Sequence, residues 1–299
     1  MDSPSKKKFY SCECISSTLL SGDTSSLEFV WPGPAPMAGQ FFFIKPKWSG
    51  VFLGRPISVA GWKPNRQTVF QGNADRRSSK DRRDRGGKHK KEDAVFSTDR
   101  RAGSGGVLRF IITRIGQGSR ELTAIRPGEE AGLSGPLGNS WNPDQIPLEI
   151  SKGKIQGAFA LVGGGAGIAP LLALSQELRK KTFDFYAGFR AGAFGLENLQ
   201  SKALIIATED GSQGVMGLIS DYFSPMGYNA VFACGPDPML EAIAKSCASK
   251  GVPCYISTGK HMACGVGACL GCKIKTTRGE LLCCADGPIF RAEEIIFEG

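Results

Sequence analysis

Short runs of β-branched and aromatic residues, separated by Gly and Pro, characterise the first half of the chain from Phe9 to about Leu148. Examples are Gln40–Ile44, Pro56–Ala60 and Leu108–Thr113. Runs of this length with frequent turn residues between them are typical of antiparallel strands that close into a barrel. The pattern therefore predicts a β-barrel domain over residues 9–150.

The hydrophobic pattern changes near Gly157, where strands begin to alternate with helices. Ala158–Val162 is a continuous apolar run, and leucines follow it at helical spacing. Further strands are expected at 183–189, 203–208 and 230–233, the last followed by a helix with Met239, Leu240, Ile243 and Cys247 on one face. Alternating strands and helices predict a doubly wound parallel sheet over residues 156–252.

One stretch inside the predicted barrel, from about residue 65 to 106, has a different composition. It is basic, rich in Ser, Gly and Asp, and almost free of large apolar residues. Residues 76–101 alone hold eleven Lys or Arg against five Asp or Glu, which supplies +6 of the formal net charge of +9. Such a composition cannot bury enough apolar surface to order itself, so we predict a disordered insertion between two strands.

The net charge could indicate nucleic-acid binding, but it is concentrated in this insertion. The rest of the chain is nearly balanced, and a local excess says little about the folded body. The insertion also lacks interleaved aromatic residues and a recognisable binding fold. A nucleic-acid-binding protein is therefore the weaker interpretation, and no nucleic-acid partner is expected.

Composition also indicates the compartment. No apolar run approaches the roughly 20 residues that a membrane-spanning helix needs. Residues 1–8 are polar and basic, without the apolar core of a signal peptide behind them. Ten cysteines in a chain of 299 residues then indicate metal binding or catalysis rather than disulfides. We expect a cytoplasmic protein without a membrane span.

Four of the cysteines have the spacing of an iron–sulfur site. Cys264, Cys269 and Cys272 are separated by four and then two residues, as in the plant-type ferredoxin loop that holds a [2Fe–2S] cluster. The small residues between them let the backbone wrap a cluster and direct N–H groups at its sulfurs. A structural zinc site is the alternative, although zinc favours paired cysteine knuckles. A fourth ligand would come from Cys283 or Cys284, which are adjacent.

A glycine loop follows the first strand of the predicted sheet. Its glycines Gly163, Gly164, Gly165 and Gly167, with Pro170 in the next helical turn, would let the backbone approach a pyrophosphate at a helix N-terminus. The loop departs from the G-x-G-x-x-G dehydrogenase fingerprint, because Pro170 takes the sixth position from Gly165 and the next strand ends in Arg190 rather than an acidic residue. A glycine turn that only packs is the alternative.

Other candidates stand at strand ends and in the barrel. Segments 207–212 and 233–236 end two parallel strands, where open sheets bind ligands. In the barrel, Arg55 could pair with a flavin phosphate and Ser58 could hydrogen-bond the ring. Taken alone, an Arg and a Ser in a strand are most often solvated edge residues.

The order of the motifs along the chain resembles a known superfamily. The motifs are Arg55-Pro56-Ile57-Ser58, Gly116-Gln117-Gly118-Ser119, Gly135–Asn139, Gly163–Pro170 and Ala233–Pro236. Together they resemble the ferredoxin–NADP reductase superfamily. The tail, Met262–Cys272 with Cys284–Phe290, looks like the electron-transfer subunit of class 1B dihydroorotate dehydrogenase. The resemblance covers nearly the whole chain apart from the basic insertion.

The resemblance implies a multi-domain β plus α/β fold. An antiparallel β-barrel would bind FAD, a doubly wound parallel-sheet domain would bind NAD(P), and a small domain over residues 255–299 would bind the [2Fe–2S] cluster. The implied FAD contacts are Arg55, Pro56, Ile57, Ser58, Gly116, Gly118 and Ser119, where Thr is common at the last position. The implied nicotinamide side comprises the glycine loop with Pro170, Gly235 and Pro236, and Cys234 and Asp210 as catalytic residues. Aligning Asp286-Gly287-Pro288 makes Cys284 the fourth cluster ligand and leaves Cys283 where the family usually has an aliphatic residue.

The implied function is electron transfer between the cluster, FAD and a nicotinamide dinucleotide. In the resembling complex, a separate FMN-containing catalytic subunit oxidises dihydroorotate to orotate for pyrimidine biosynthesis, so that subunit is the expected partner, in a heterotetramer. The alternative is a subunit of a related ferredoxin:NADP oxidoreductase, sulfhydrogenase or sulfite reductase complex. The sequence leaves the choice between NAD and NADP open.

Overall fold

A computed structural model describes residues 9–65, 105–142, 158–178 and 182–297. The predicted disordered insertion falls almost entirely outside these ranges. Within them, no helix is long and apolar enough to cross a membrane.

The first part of the described chain is a closed antiparallel barrel, as the strand pattern predicts. Its strands, in the order β1-β2-β5-β4-β3-β6 around the barrel, are β1 (Tyr10–Ser21), β2 (Thr24–Trp31), β3 (Phe41–Pro46), β4 (Arg55–Pro64), β5 (Gly106–Thr113) and β6 (Glu130–Leu137). A short helix, α1 (Gln117–Thr123), connects β5 to β6. Closure leaves no unpaired strand edge.

Aromatic side chains fill the barrel. Trp31, Phe42 and Phe110 are fully buried, and the rings of Trp31 and Phe42 pack edge to face with centroids 4.9 Å apart. Burying a side chain of this size stabilises the fold by about 1.5–3 kcal/mol. The barrel is therefore a packed core, and its ligands must bind on its outer surface.

The second part is a seven-stranded sheet with helices on both faces. In the order β10-β9-β8-β7-β11-β12-β15, its strands are β7 (Phe159–Gly164), β8 (Phe183–Phe189), β9 (Ala203–Thr208), β10 (Val215–Met216), β11 (Ala230–Cys234), β12 (Cys254–Ser257) and β15 (Ile289–Arg291). The helices are α2 (Ile168–Glu177) and α3 (Asp237–Lys250). All strand pairs are parallel except β12 with β15. The doubly wound parallel sheet is confirmed.

The strand order reverses beside β7. That strand pairs with β8 on one side and with β11 on the other, so the chain winds in opposite directions from this point. Open α/β sheets bind ligands at such a switch point, beyond the carboxyl ends of the strands. Topology therefore selects the ends of β7 and β11 as the ligand-binding edge.

The C-terminal segment packs against both other parts. Strands β13 (Lys273–Thr276) and β14 (Gly279–Leu282) form a two-stranded sheet. A small core joins Phe41 and Phe43 of β3 to Cys272, Cys283 and Phe290, while β15 extends the parallel sheet. The domain bounds given above remain predictions, because the segment after residue 255 shares a core and a sheet with its neighbours.

Candidate functional site

A cleft of about 390 Å³ lies where the barrel, the sheet and the C-terminal segment meet. Its wall draws on all three parts: Pro56 and Ser58, Gly164 and Gly167, Cys234, Gly235 and Pro236, and Ser257 to Lys260 with Met262. Among the described residues, a larger groove of about 850 Å³ lies beside the end of α2, but no predicted site residue lines it. The smaller cleft is therefore the candidate site.

Alternation along β4 decides which residues of the flavin motif face this cleft. Pro56 and Ser58 lie on the same face of the strand and line the cleft. Ile57 points the other way and packs against the barrel core. The side chain of Ile57 therefore contributes to the barrel core.

Arg55 and α1 form a second part of the flavin motif. A Cβ atom at Gly118 would lie 2.2 Å from Nε of Arg55, so a larger residue there would displace the guanidinium. The Ser119 hydroxyl accepts hydrogen bonds from the backbone N–H groups of Ile115 at 2.8 Å and Gly116 at 3.0 Å. A guanidinium beside a glycine-rich turn suits a phosphate, and Ser119 makes these bonds with the hydroxyl that Thr would also supply.

The glycine loop combines packing with open space. A Cβ at Gly167 would lie 2.5 Å from the Cys234 carbonyl oxygen, and one at Gly164 would lie 2.8 Å from Pro236 and Met239 atoms. Gly165 differs, since it has a left-handed φ of +53° and no atom lies within 4 Å of the position that a Cβ would take there. The packing interpretation thus explains Gly164 and Gly167, whereas Gly165 leaves room for a ligand.

Two further residues of the nicotinamide motif support the loop. Gly163 closes against Ile168, whose Cγ2 would lie 2.8 Å from a Cβ there. Pro170 lies in the first turn of α2, where its missing N–H costs nothing. Its carbonyl oxygen accepts a hydrogen bond from Nε1 of Trp141 at 3.3 Å. The loop is therefore held rigidly at the end of β7.

Cys234 ends β11 and contributes a half-buried thiol to the cleft wall. Burial raises its pKa to about 12, although a hydrogen bond with Ser257 acts in the opposite direction. The thiol is therefore neutral at physiological pH and a poor nucleophile. Its position suits contact with a bound ring rather than covalent catalysis.

The structure does not bring Asp210 to this cleft. Asp210 follows β9, and strands β8 and β7 separate β9 from β11. Its carboxylate accepts hydrogen bonds from the Ser212 hydroxyl at 2.6 Å and the Ser212 N–H at 3.0 Å, which lower its pKa. Ser212 in turn accepts a bond from the N–H of Gly192. These contacts tie together the loops after β8 and β9, away from Cys234.

The cysteine loop directs backbone N–H groups at its sulfurs. Sγ of Cys264 accepts from the N–H groups of Val266 at 3.5 Å and Cys269 at 3.4 Å. Sγ of Cys272 accepts from the Cys284 N–H at 3.4 Å. Burial acts to raise the pKa of Cys264, but the N–H groups of Val266 and Cys269 outweigh it, and the pKa falls to about 6. A thiolate, the form that binds metal, is thus favoured at Cys264.

The four candidate sulfurs fall into two pairs. Cys264 is hydrogen-bonded to Cys269, and Cys272 is hydrogen-bonded to Cys284. A [2Fe–2S] cluster takes two protein ligands on each of its two irons, which matches two pairs of sulfurs. The arrangement fits the cluster.

Cys283 and Cys284 point to different partners. Sγ of Cys284 accepts the Gly267 N–H of the cysteine loop at 3.2 Å. The Cys283 thiol is fully buried and donates to the carbonyl oxygen of Thr258 at 3.1 Å. Burial raises the pKa of both thiols to about 12, so the pKa does not distinguish them and the distinction rests on their hydrogen-bond partners. These contacts favour Cys284 as the fourth ligand.

Sequence reasoning missed the wall formed by Thr258, Gly259 and Lys260. These residues follow the carboxyl end of β12 and precede the cysteine loop. Their only sequence signal is their place between a parallel strand and Cys264. They connect the cleft directly to the cysteine loop.

Comparison with known proteins finds similarity along most of the chain. Residues 259–296 match the family model described as the iron–sulfur cluster binding domain of dihydroorotate dehydrogenase B. The dihydroorotate dehydrogenase B (NAD(+)) electron transfer subunit of Clostridium acetobutylicum is 39% identical over 191 residues, covering 63% of this chain and 74% of that protein. Its counterpart in Clostridium perfringens is 33% identical over 266 residues, covering 87% of both.

Solved structures share the architecture. An NADH-dependent reduced ferredoxin–NADP oxidoreductase superposes with a TM-score of 0.71 at 22% identity, covering 96% of this chain and 90% of that one. The ferredoxin reductase of carbazole 1,9a-dioxygenase superposes with a TM-score of 0.56 at 20% identity, covering 83% and 68%. At these identities the likeness concerns the fold alone, and it confirms the predicted combination of a barrel and a nucleotide-type sheet.

Proposed function

The chain belongs to the family of dihydroorotate dehydrogenase B electron transfer subunits, and on that basis we propose that it carries electrons between a [2Fe–2S] cluster, FAD and NAD(H) during oxidation of dihydroorotate to orotate in pyrimidine biosynthesis. The observation that carries the proposal is the shared cleft. It joins Ser58 of the flavin motif, Cys234 at the switch point and Thr258, which leads to the cysteine loop.

FAD would be held by the outer face of the barrel. Arg55, together with the turn Gly116–Ser119, would bind the diphosphate, because charge-assisted hydrogen bonds from a guanidinium are strong and directional. Pro56 and Ser58 would face the ring in the cleft. When bound, the flavin exchanges electrons in pairs with nicotinamide and singly with an iron–sulfur cluster.

The nicotinamide dinucleotide would bind across the carboxyl ends of the sheet. The open space at Gly165 and the N-terminus of α2 suit its pyrophosphate. The neutral thiol of Cys234 would contact the nicotinamide and hold it against the flavin ring. Asp210, with Ser212, would lie toward the adenosine end, and we assign it to binding rather than to the hydride step.

The cluster would be held by Cys264, Cys269, Cys272 and Cys284, with Cys283 as a buried non-ligand. Cys269 is exposed, as are the neighbouring side chains of Val266 and Leu270. This exposure suits a surface through which electrons arrive from another protein.

The family's name as an electron transfer subunit implies a catalytic partner. We propose that this partner is the FMN-containing dihydroorotate dehydrogenase subunit, that the two form a heterotetramer, and that the complex is cytoplasmic. Because we assign dihydroorotate oxidation to this partner, the chain alone should not oxidise dihydroorotate.

Purification of the chain tests the cofactor assignment. We expect one FAD, near two irons and two acid-labile sulfides per chain, as a [2Fe–2S] centre requires. The purified protein should reduce artificial dyes with NADH, since this needs only the nicotinamide and flavin sites. Zinc in place of iron after anaerobic purification, without labile sulfide, would overturn the cluster assignment.

A further inference from the structure

The cleft is almost uncharged. Among the described residues that line it, Lys260 is the one whose side chain is charged at neutral pH. The others have apolar, hydroxyl or thiol side chains or are glycines. Nζ of Lys260 lies 3.7 Å from Oδ2 of Asp237, the first residue of α3, and both side chains are partly exposed. The ammonium group is thus held at the rim of the cleft.

The backbone beneath this lysine is fixed. The buried Cys283 sulfur is hydrogen-bonded to the backbone of Lys260 and donates to the carbonyl oxygen of Thr258. Both ends of the segment Thr258–Lys260 are therefore anchored to one buried side chain. The lysine extends from a rigid base rather than from a free loop.

A positive charge at this rim would affect the redox equilibrium of a flavin bound in the cleft. The inference therefore rests on the proposed binding of the flavin ring there. Hydride transfer moves two electrons and one proton from NADH to the ring, so NADH becomes NAD⁺ and the ring gains one negative charge. A nearby positive charge stabilises the charged form more than the neutral form. Charge near the ring is one of the means by which a protein tunes a flavin.

We propose that Lys260 stabilises the reduced flavin and sets how far NADH reduces it, with Asp237 moderating the charge. The N-terminus of α3 adds potential of the same sign, because Gly235 and Pro236 line the cleft immediately before the helix begins. Asp237 opposes both. A partly exposed ion pair is weak, so the carboxylate reduces the effect of the ammonium without cancelling it.

The test compares Lys260→Gln, Lys260→Arg and Asp237→Asn in the full chain with FAD bound. The control is Lys245→Gln, an exposed lysine on α3 that pairs with Glu241 at 2.7 Å. The readouts are the two-electron midpoint potential of FAD and the affinity for sulfite, which adds to the oxidised ring and leaves it negatively charged. Neither readout depends on turnover.

Lys260→Gln should lower the equilibrium constant for flavin reduction by about tenfold, the lower end for a nearby opposite charge. That change equals a fall of about 30 mV for a two-electron couple, and sulfite should bind correspondingly more weakly. Lys260→Arg should restore both values, Asp237→Asn should shift both in the opposite direction, and Lys245→Gln should change neither.

The outcomes separate this inference from the proposed function. If the wild-type chain binds no FAD, the proposed function fails and the inference with it. If Lys260→Gln binds FAD with the wild-type potential and sulfite affinity, or if Lys245→Gln shifts them equally, the inference alone is overturned. If Lys260→Gln loses FAD, the test passes to Asp237→Asn. An unchanged FAD midpoint potential in Asp237→Asn would then overturn the inference.

Discussion

The buried thiol of Cys283 donates a hydrogen bond to the carbonyl oxygen of Thr258 over 3.1 Å. Thr258 lines the cleft, and Cys283 is bonded directly to Cys284, the proposed cluster ligand. One side chain thus joins the wall of the cleft to the cysteine-containing C-terminal segment. We therefore expect the two adjacent cysteines to have different roles, Cys284 as a cluster ligand and Cys283 as a buried hydrogen-bond donor, and substitution can distinguish them.

Serine at each adjacent position should give opposite results. Cys284→Ser removes a thiolate ligand and should lose or shift the cluster. Cys283→Ser retains a hydroxyl donor toward Thr258 and should keep iron and labile sulfide at wild-type levels. Iron and sulfide analysis with visible spectra measures both, and the reverse pattern would show that the ligand register is off by one residue.

The ends of the basic insertion lie side by side. Pro64 pairs with Gly106 across β4 and β5, and the N–H of Asn65 donates to the carbonyl oxygen of Gly105 at 3.2 Å. A short linker can therefore close the hairpin, and shortening a loop changes the closure entropy only slightly.

Deleting about residues 65–105 with such a linker should leave FAD content and NADH–dye activity nearly intact. FAD content is measured by absorbance after release from the protein. If the deletion removes FAD while the barrel still unfolds cooperatively, the insertion covers the flavin, and its assignment as a dispensable segment is wrong.

The barrel and the parallel sheet could be predicted because their signals are local. Strand periodicity, the glycine loop and the cysteine spacing are each contained in a short window of sequence. The separation of Asp210 from the cleft could not be predicted in this way, since it depends on the order of strands in the sheet. Lys260 was missed for the same reason, because nothing nearby in the sequence shows that it lines the cleft.

The environment of the flavin motif also depends on tertiary contacts. The motif includes Ile57, but strand alternation turns this side chain into the barrel core. Gly118 is likewise part of the motif, but the reason for a glycine at this position is visible only in the structure, where the Arg55 side chain lies against it. The sequence pattern identifies such positions without supplying the physical reason for them.

The contact between Gly118 and Arg55 predicts a selective loss of FAD affinity. Gly118→Ala would place Cβ 2.2 Å from Nε of Arg55 and displace the guanidinium, so we expect the Kd for FAD to rise by about tenfold, or about 1.4 kcal/mol. Ala is the better helix former by about 0.5–1 kcal/mol, so the stability of the FAD-free protein should not fall. Titration of FAD into the stripped protein measures the affinity.

The matched control is Gly22→Ala in the turn between β1 and β2. No atom lies within 4 Å of a Cβ at that position, so FAD affinity should be unchanged. Equal losses in the two variants would mean that Gly118 acts through barrel stability rather than through Arg55.

The central claim is that the cluster lies on the electron path between the catalytic partner and the FAD of this chain. Cys269→Ser, shown by iron analysis to lack its cluster, tests this claim with the purified partner subunit. Cys269 is exposed, so its substitution removes no packing from the core. NADH–dye reduction by the same sample is the internal control for an intact flavin site.

The decisive measurement is dihydroorotate-dependent reduction of NAD⁺ by the reconstituted complex. The wild-type chain should couple the two substrates, whereas the cluster-free Cys269→Ser variant should abolish that coupling and retain part of its NADH–dye activity. Coupling at the full wild-type rate without the cluster would contradict the account, because electrons would then reach FAD by another route.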